Sequence, residues 1–220
     1  MFVIIAGQVG SGFGRDPVVG ALDELSARFA ASYPLAPERT AGDELQAMTE
    51  NAGAALETAL HLLRAPHWRV GLGIGAVRTP LPKSISEAAG PAFVVARTAI
   101  ERAAQRTTRF ASIGADAAAT RGEHARALID LLLVHRARWS RPGWQLHDLL
   151  ESGLSQAEAA VQLGVTPQAT SKRARAAGLK VDADARRALI ALLSEVGNTA
   201  EHGASGNGAS GIGASGNGAS

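Results

Sequence analysis

Residues 155–178, SQAEAAVQLGVTPQATSKRARAAG, constrain this chain most, because helix start and stop signals follow one another there with almost no slack. Ser155 precedes Glu158 by three residues, the spacing of a capping box. A first helix is predicted over 156–163, ended by Gly164, since glycine takes the left-handed angle that a helix C-terminus needs. Val165 is an apolar plug for the corner. Thr166 and Pro167 then open a second helix, Thr as N-cap and Pro at the first helical position, where its missing N–H is harmless. Gly178 stops it.

A helix, a tight turn and a second helix make a helix-turn-helix, whose second helix enters the DNA major groove. That helix carries Gln168, Thr170, Ser171, Lys172, Arg173 and Arg175 and no acid. Gln168, Ser171 and Lys172 lie near its start and are expected to contact bases or nearby backbone. Arg173 and Arg175 lie further along and are expected to touch phosphate. The competing reading is a plain αα-hairpin with a solvated basic face. Thr170 stands where such motifs bury Val or Ile, and Arg173 stands near another apolar slot. Ala169, Ala174 and Ala177 are therefore expected to supply a small, shallow core. One motif makes few contacts, so binding to double-stranded DNA is expected to need a homodimer on a two-part site.

The rest of the composition sets bounds. At 220 residues the chain has room for one large domain or two small ones. There is no cysteine, which excludes disulfides and thiolate metal sites and fits a cytoplasmic protein. A formal net charge of +2 is too small to drive nucleic-acid binding unless the cations cluster. No apolar run reaches the ~20 residues of a membrane span, and the opening MFVIIAGQVG lacks the basic start of a secretory signal.

Phe2, Val3, Ile4, Ile5 and Ala6 form an apolar, β-branched run that reads as a central strand. The glycine-rich segment 7–15 follows. Such loops cradle phosphates with backbone N–H groups, though this one lacks the Gly-Lys-Ser/Thr ending of a nucleotide P-loop, and a plain strand-to-helix connection is the alternative. Helical spacing then predicts helices over 16–32, 49–64 and 92–107, and strand patterns predict strands over 35–40, 68–79 and 109–113. In 68–79, WRVGLGIGAVRT, glycines alternate with Val70, Leu72 and Ile74 and clear space on one face. Residues 1–115 are thus expected to form a sheet with helices on one face. Further helices are predicted over 123–139, with Leu128, Leu131, Leu132 and His135 on one side, over 144–151, and over 182–196 through Leu189, Ile190, Leu192 and Leu193. Residues 197–220 repeat Gly, Ala, Ser and Asn, and are expected to be a disordered tail.

The order of these pieces resembles the SatD family. The resemblance rests on the N-terminal strand, Gly42-Asp43-Glu44-Leu45-Gln46, the apolar-glycine strand at 69–75, Gly90-Pro91-Ala92-Phe93 running to Ala96-Arg97, and Trp139-Ser140 before the C-terminal helices. It covers about residues 1–180, and order and spacing carry it rather than any single motif. The N-terminal half also looks like the class III nucleotide cyclase and diguanylate cyclase fold. That fold implies one acid after the first strand and another in a hairpin, together holding divalent metal under a triphosphate; magnesium takes oxygen ligands. Asp43 and Glu44 are the hairpin candidates, but Gln8 stands where the first acid is expected, so the resemblance implies a two-metal site that is broken. Asp43 and Glu44 are equally readable as a solvated turn pair. Arg97 is placed either to reach a phosphate or to pair with an acid.

The expectation is an α+β chain: a cyclase-like (ferredoxin-like) sheet over 1–115, an all-α helix-turn-helix region over 122–196, and the tail. The expected function is a DNA-binding transcriptional regulator, not an enzyme. Its N-terminal domain would sense a nucleotide or small-molecule effector or dimerise, with Gly7, Gln8, Gly10, Asp43 and Glu44 as effector-site candidates. The alternative is a metal-dependent nucleotide-binding or nucleotidyl-cyclase-type enzyme. No catalytic set, metal site or cofactor can be nominated: His61, His67, His124, His135 and His147 have no metal-ligand spacing.

Overall fold

The computed structural model describes residues 1–10 and 16–206; the rest of the glycine-rich segment, 11–15, and of the small-residue tail, 207–220, lies outside the described residues. The chain is mixed α+β. Five strands, β1 (Phe2–Gln8), β2 (Glu38–Ala41), β3 (Glu44–Thr49), β4 (Trp68–Ile74) and β5 (Phe110–Gly114), form one sheet in the order β2-β3-β1-β4-β5. Neighbours are antiparallel except β4 and β5, which are parallel and joined through a helix. Among the described residues the helices are α1 (Pro17–Phe29), α2 (Ala52–Arg64), α3 (Pro91–Ala103), α4 (Ala119–Arg136), α5 (Arg141–Glu151), α6 (Gln156–Gln162), α7 (Pro167–Ala176) and α8 (Leu179–Gly206). None is long and apolar enough to cross a membrane.

β1 is apolar throughout because both of its faces are covered. Phe2, Ile4 and Ala6 pack with Leu45, Leu72 and Ile74 against α1, α2, α4 and α8. Val3, Ile5 and Met48 face the other way, against Ala92, Ala96 and Ile100 of α3. The expectation of helices on one face is therefore corrected: α3 occupies the second face. The glycines of β4 make this possible. A Cβ at Gly73 would lie 2.2 Å from the Ala92 carbonyl oxygen, and one at Gly71 2.3 Å from the Ile100 nitrogen. The space cleared by glycine is filled by helix backbone.

Some boundaries move for local reasons. Thr49 ends β3, and α2 begins after Asn51, whose side chain accepts from the Ala54 N–H at 2.9 Å. The buried stripe of α4 is Ala125, Ile129, Leu132 and Arg136; Leu128, Leu131, Leu132 and His135 share one side of the helix, as expected, but Leu128 and Leu131 are exposed there. The last helix does not stop at residue 196. It runs to Gly206, with Val196, Gly197 and Ala200 buried against the sheet, so the expected tail boundary at 197 is also corrected. Small residues there read as low complexity, yet they continue the inward stripe, and Gly197 lies close to the Phe2 ring.

Candidate functional site

α6 and α7 form the way their caps dictate. Ser155 accepts from the Glu158 N–H at 3.3 Å while Glu158 accepts from the Ser155 N–H at 2.8 Å, closing the capping box. Gly164 and Gly178 end the two helices at φ 64° and 61°. Thr166 caps α7 through the Ala169 N–H at 3.1 Å, and Pro167 occupies its first turn. Beneath the pair, Leu146, Ala159, Ala177 and Leu179 pack with Trp139. Thr170 is fully buried and disposes of its hydroxyl on the Thr166 carbonyl, so it fills the slot of a valine at the cost of one local bond. Ala177 is buried, but Ala169 and Ala174 are only half-buried, which leaves the core as shallow as the sequence suggests.

The outer surface of α7 is one stripe. Gln168, Ser171, Lys172 and Arg175 are exposed, and their spacing of three and four residues puts them on a single helix face. Arg173 is half-buried and sits off that face. Arg175 thus shares the face of Gln168, Ser171 and Lys172, further along the helix, and Arg173 does not. A cleft of about 620 Å³ borders the stripe, where Ser171 and Arg175 meet Gln156 and Lys180. Lys180, just past Gly178, escaped the sequence reading; its only signal is its place in the first turn of the following helix.

The charges are sorted. Asp148 is held by Arg64, Glu151 by Arg186, and Asp182 by Arg136. Glu158 is occupied by its cap. Among the described residues, no ion pair engages Lys172, Arg173, Arg175 or Lys180, so the cations around α7 are left for solvent or a ligand.

In the sheet, the strand register brings most of the effector-site candidates together. Gly7 lies opposite Glu44, and the Gln8 N–H donates to the Asp43 carbonyl at 3.1 Å. Gly10 follows at φ 88°. Asp43 is exposed. The Glu44 carboxylate, 13 % exposed, is held by Arg97 of α3 at 2.6 Å, so of the two roles open to Arg97 the structure shows pairing with an acid. Arg69 of β4 lies across Gly7, its guanidinium close to where a Cβ would stand, and makes no ion pair among the described residues. No sequence signal marked Arg69, because only the register sets it beside Gly7.

No protein-family model, no curated protein and no solved structure matches the chain.

Proposed function

We propose that this protein is a DNA-binding transcriptional regulator of the SatD type, in which α6 and α7 form a helix-turn-helix and α7 reads the major groove. The observation that carries the reading is the unpaired stripe of Gln168, Ser171, Lys172 and Arg175 on a helix whose inner side is packed and capped. Exposed cations with no acid partner neutralise phosphates, and Gln, Ser and Arg supply hydrogen bonds to base edges. A plain αα-hairpin gives no reason for every nearby acid to be paired while the cations of α7 stay free.

The sheet half is read as a cyclase-like, ferredoxin-like domain that serves as sensor or dimerisation unit in the cytoplasm. The end of β1 beside the Asp43–Glu44 hairpin supports this. Gln8 in the place of an acid, and Glu44 already neutralised by Arg97, weigh against metal-dependent turnover. A nucleotide or small molecule near Gly7, Gln8 and Gly10 would act as an effector. The test is enrichment of random duplexes on the purified protein, followed by fluorescence anisotropy on the selected site. Failure to enrich any duplex at low salt overturns the reading.

A further inference from the structure

A cavity of about 510 Å³ lies where α2, the end of α4 and the loop before β5 meet α5, the helix on which α6 and α7 pack. Leu60 and Leu63 of α2 and Val134 of α4 give it an apolar side. Its polar side is cationic: Arg64, Arg109, Arg136 and Arg138 line it, and no aspartate or glutamate does. The volume falls within the about 300–1,000 Å³ of small-ligand pockets, which pair apolar walls with a few placed polar groups.

Two of the four cations are already matched. Arg64 is held by Asp148 and Arg136 by Asp182. Asp130, which takes the Thr108 hydroxyl beside Arg109, is itself held by Arg106 and Arg126. Among the described residues no ion pair engages Arg109 or Arg138. Arg109 is fixed by backbone instead. Its Nη1 donates to the Ala65 and Trp68 carbonyls at 3.0 and 2.8 Å, and its Nη2 to the Leu63 carbonyl at 3.3 Å. Carbonyl oxygens orient the guanidinium without cancelling its charge. Nε and the second Nη2 hydrogen, on one edge of the group, make no bond among the described residues. That edge is the fork that takes two oxygens of a carboxylate or phosphate. Arg109 also stands at φ 55°, and non-glycine residues held in that region cluster at ligand sites. Burial pulls its pKa below the usual arginine value, with no acid acting against it.

We infer that this cavity binds a small amphipathic anion, its carboxylate or phosphate head on the open edge of Arg109 beside Arg138 and its compact apolar body against Leu60, Leu63 and Val134. A neutral apolar molecule leaves the fork unpaired, and an inorganic anion leaves the apolar side wet. A nucleotide brings ribose and base hydrogen-bonding groups against Leu60, Leu63 and Val134, which offer them no partner. None of Gly7, Gln8, Gly10, Asp43 and Glu44 lines this cavity, so it is a second site, and it stands without the DNA-binding reading.

The experiment is isothermal titration calorimetry on the full chain without DNA, using octanoate and octyl phosphate below their micelle-forming concentrations. One or both are expected to bind saturably at one site, and the tighter names the head group. Octanamide, which lacks the charge, and acetate, which lacks the body, are expected to bind about tenfold more weakly or worse. Arg109→Gln strips partners from the Leu63, Ala65 and Trp68 carbonyls as well, so the deciding variants are Val134→Glu and Arg138→Glu, both at exposed positions. Each is expected to weaken binding by about tenfold or more with an unchanged far-ultraviolet circular dichroism spectrum, since each sets a like charge beside the anionic head or removes its cation. Leu131→Glu, in the separate apolar groove between α4 and α8, is expected to bind like wild type. The assignment is overturned if neither anion binds, or if octanamide or acetate binds as tightly as octanoate. It is equally overturned if Leu131→Glu loses binding while Val134→Glu and Arg138→Glu keep it.

Discussion

Arg136 and Asp182 face each other in a two-pronged contact, Nε to Oδ1 and Nη2 to Oδ2 both at 2.7 Å, with side chains only 7 % and 2 % exposed. The pair ties the last turn of α4 to the first turn of α8, and the Arg136 guanidinium also lies 5.3 Å from the Trp139 ring centre. Removing one partner strands a buried charge. Asp182→Ala is expected to destabilise the fold by about 3–5 kcal/mol, whereas replacing both residues with apolar ones of similar volume is expected to be near neutral. Urea unfolding of the single and double variants checks this; equal losses in the two would refute it.

The glycines of β4 make a sharper prediction. Gly73→Ala and Gly71→Ala drive a methyl into α3 backbone, which cannot retreat as a side-chain tip would. Each is expected to cost at least the about 1–3 kcal/mol of ordinary overpacking. Gly20→Ala, in α1 with nothing within 4 Å, is expected to stabilise by about 0.4–1 kcal/mol. Thermal melts of the three variants decide it, and a benign Gly73→Ala would mean that α3 does not sit on the sheet as described.

On DNA, the stripe geometry predicts that Arg175→Ala and Gln168→Ala behave alike in kind. Each is expected to relax sequence preference at one position and to lose about 1–3 kcal/mol on the selected site. Arg173→Ala, off the stripe, is expected to weaken all duplexes evenly and to lower the salt slope by about one unit. Anisotropy titrations across salt give both quantities. Wild-type behaviour in all three variants would leave α7 as an ordinary hairpin helix.

His147 carries a pH dependence. Its ring packs against Trp139 and Trp144 at 5.2 and 5.5 Å, and its Nε2 is buried with no hydrogen-bond partner. Burial, then the nearby Arg136 charge, holds its pKa below the usual 6.5, against the pull of Asp148, Glu151 and Asp182. A histidine with a depressed folded pKa stabilises fully above 6.5, and that contribution disappears as pH falls through the folded value. Glu57 works in the opposite sense, since burial raises its pKa and its contribution is lost as pH rises above 4.5. Comparison with His147→Gln isolates the histidine: the stability gap between the two proteins is expected to narrow below pH 6.5. Parallel profiles would contradict the assignment.

The α6–α7 unit was legible because its signals are local. Ser155 with Glu158, Thr166 with Pro167, and the two glycines each act within four residues. The faces of α4 were not legible, since Leu128, Leu131 and Leu132 are alike as residues and only the distant α8 decides which turns inward. Arg136 reads as a solvent residue until Asp182, 46 positions on, is brought against it. At the sheet end, Asp43 and Glu44 look like two free acids in sequence; Arg97 removes one of them, and that depends on α3 crossing the second face. Arg109 adopts φ 55° so that its guanidinium can close the carbonyls of Leu63, Ala65 and Trp68, a demand no neighbouring residue announces.

The contact between Phe2 and Gly197 has a consequence for how the protein is made. The innermost strand of the sheet is finished on one side only by the last helix, so roughly 195 residues must leave the ribosome between the two halves of one contact. At about 5–20 residues per second, this contact can form only on the order of 10–40 s after β1 is made. α2 and α3 emerge well before then and cover the two faces of the strand, so the last helix closes a sheet that is already largely assembled.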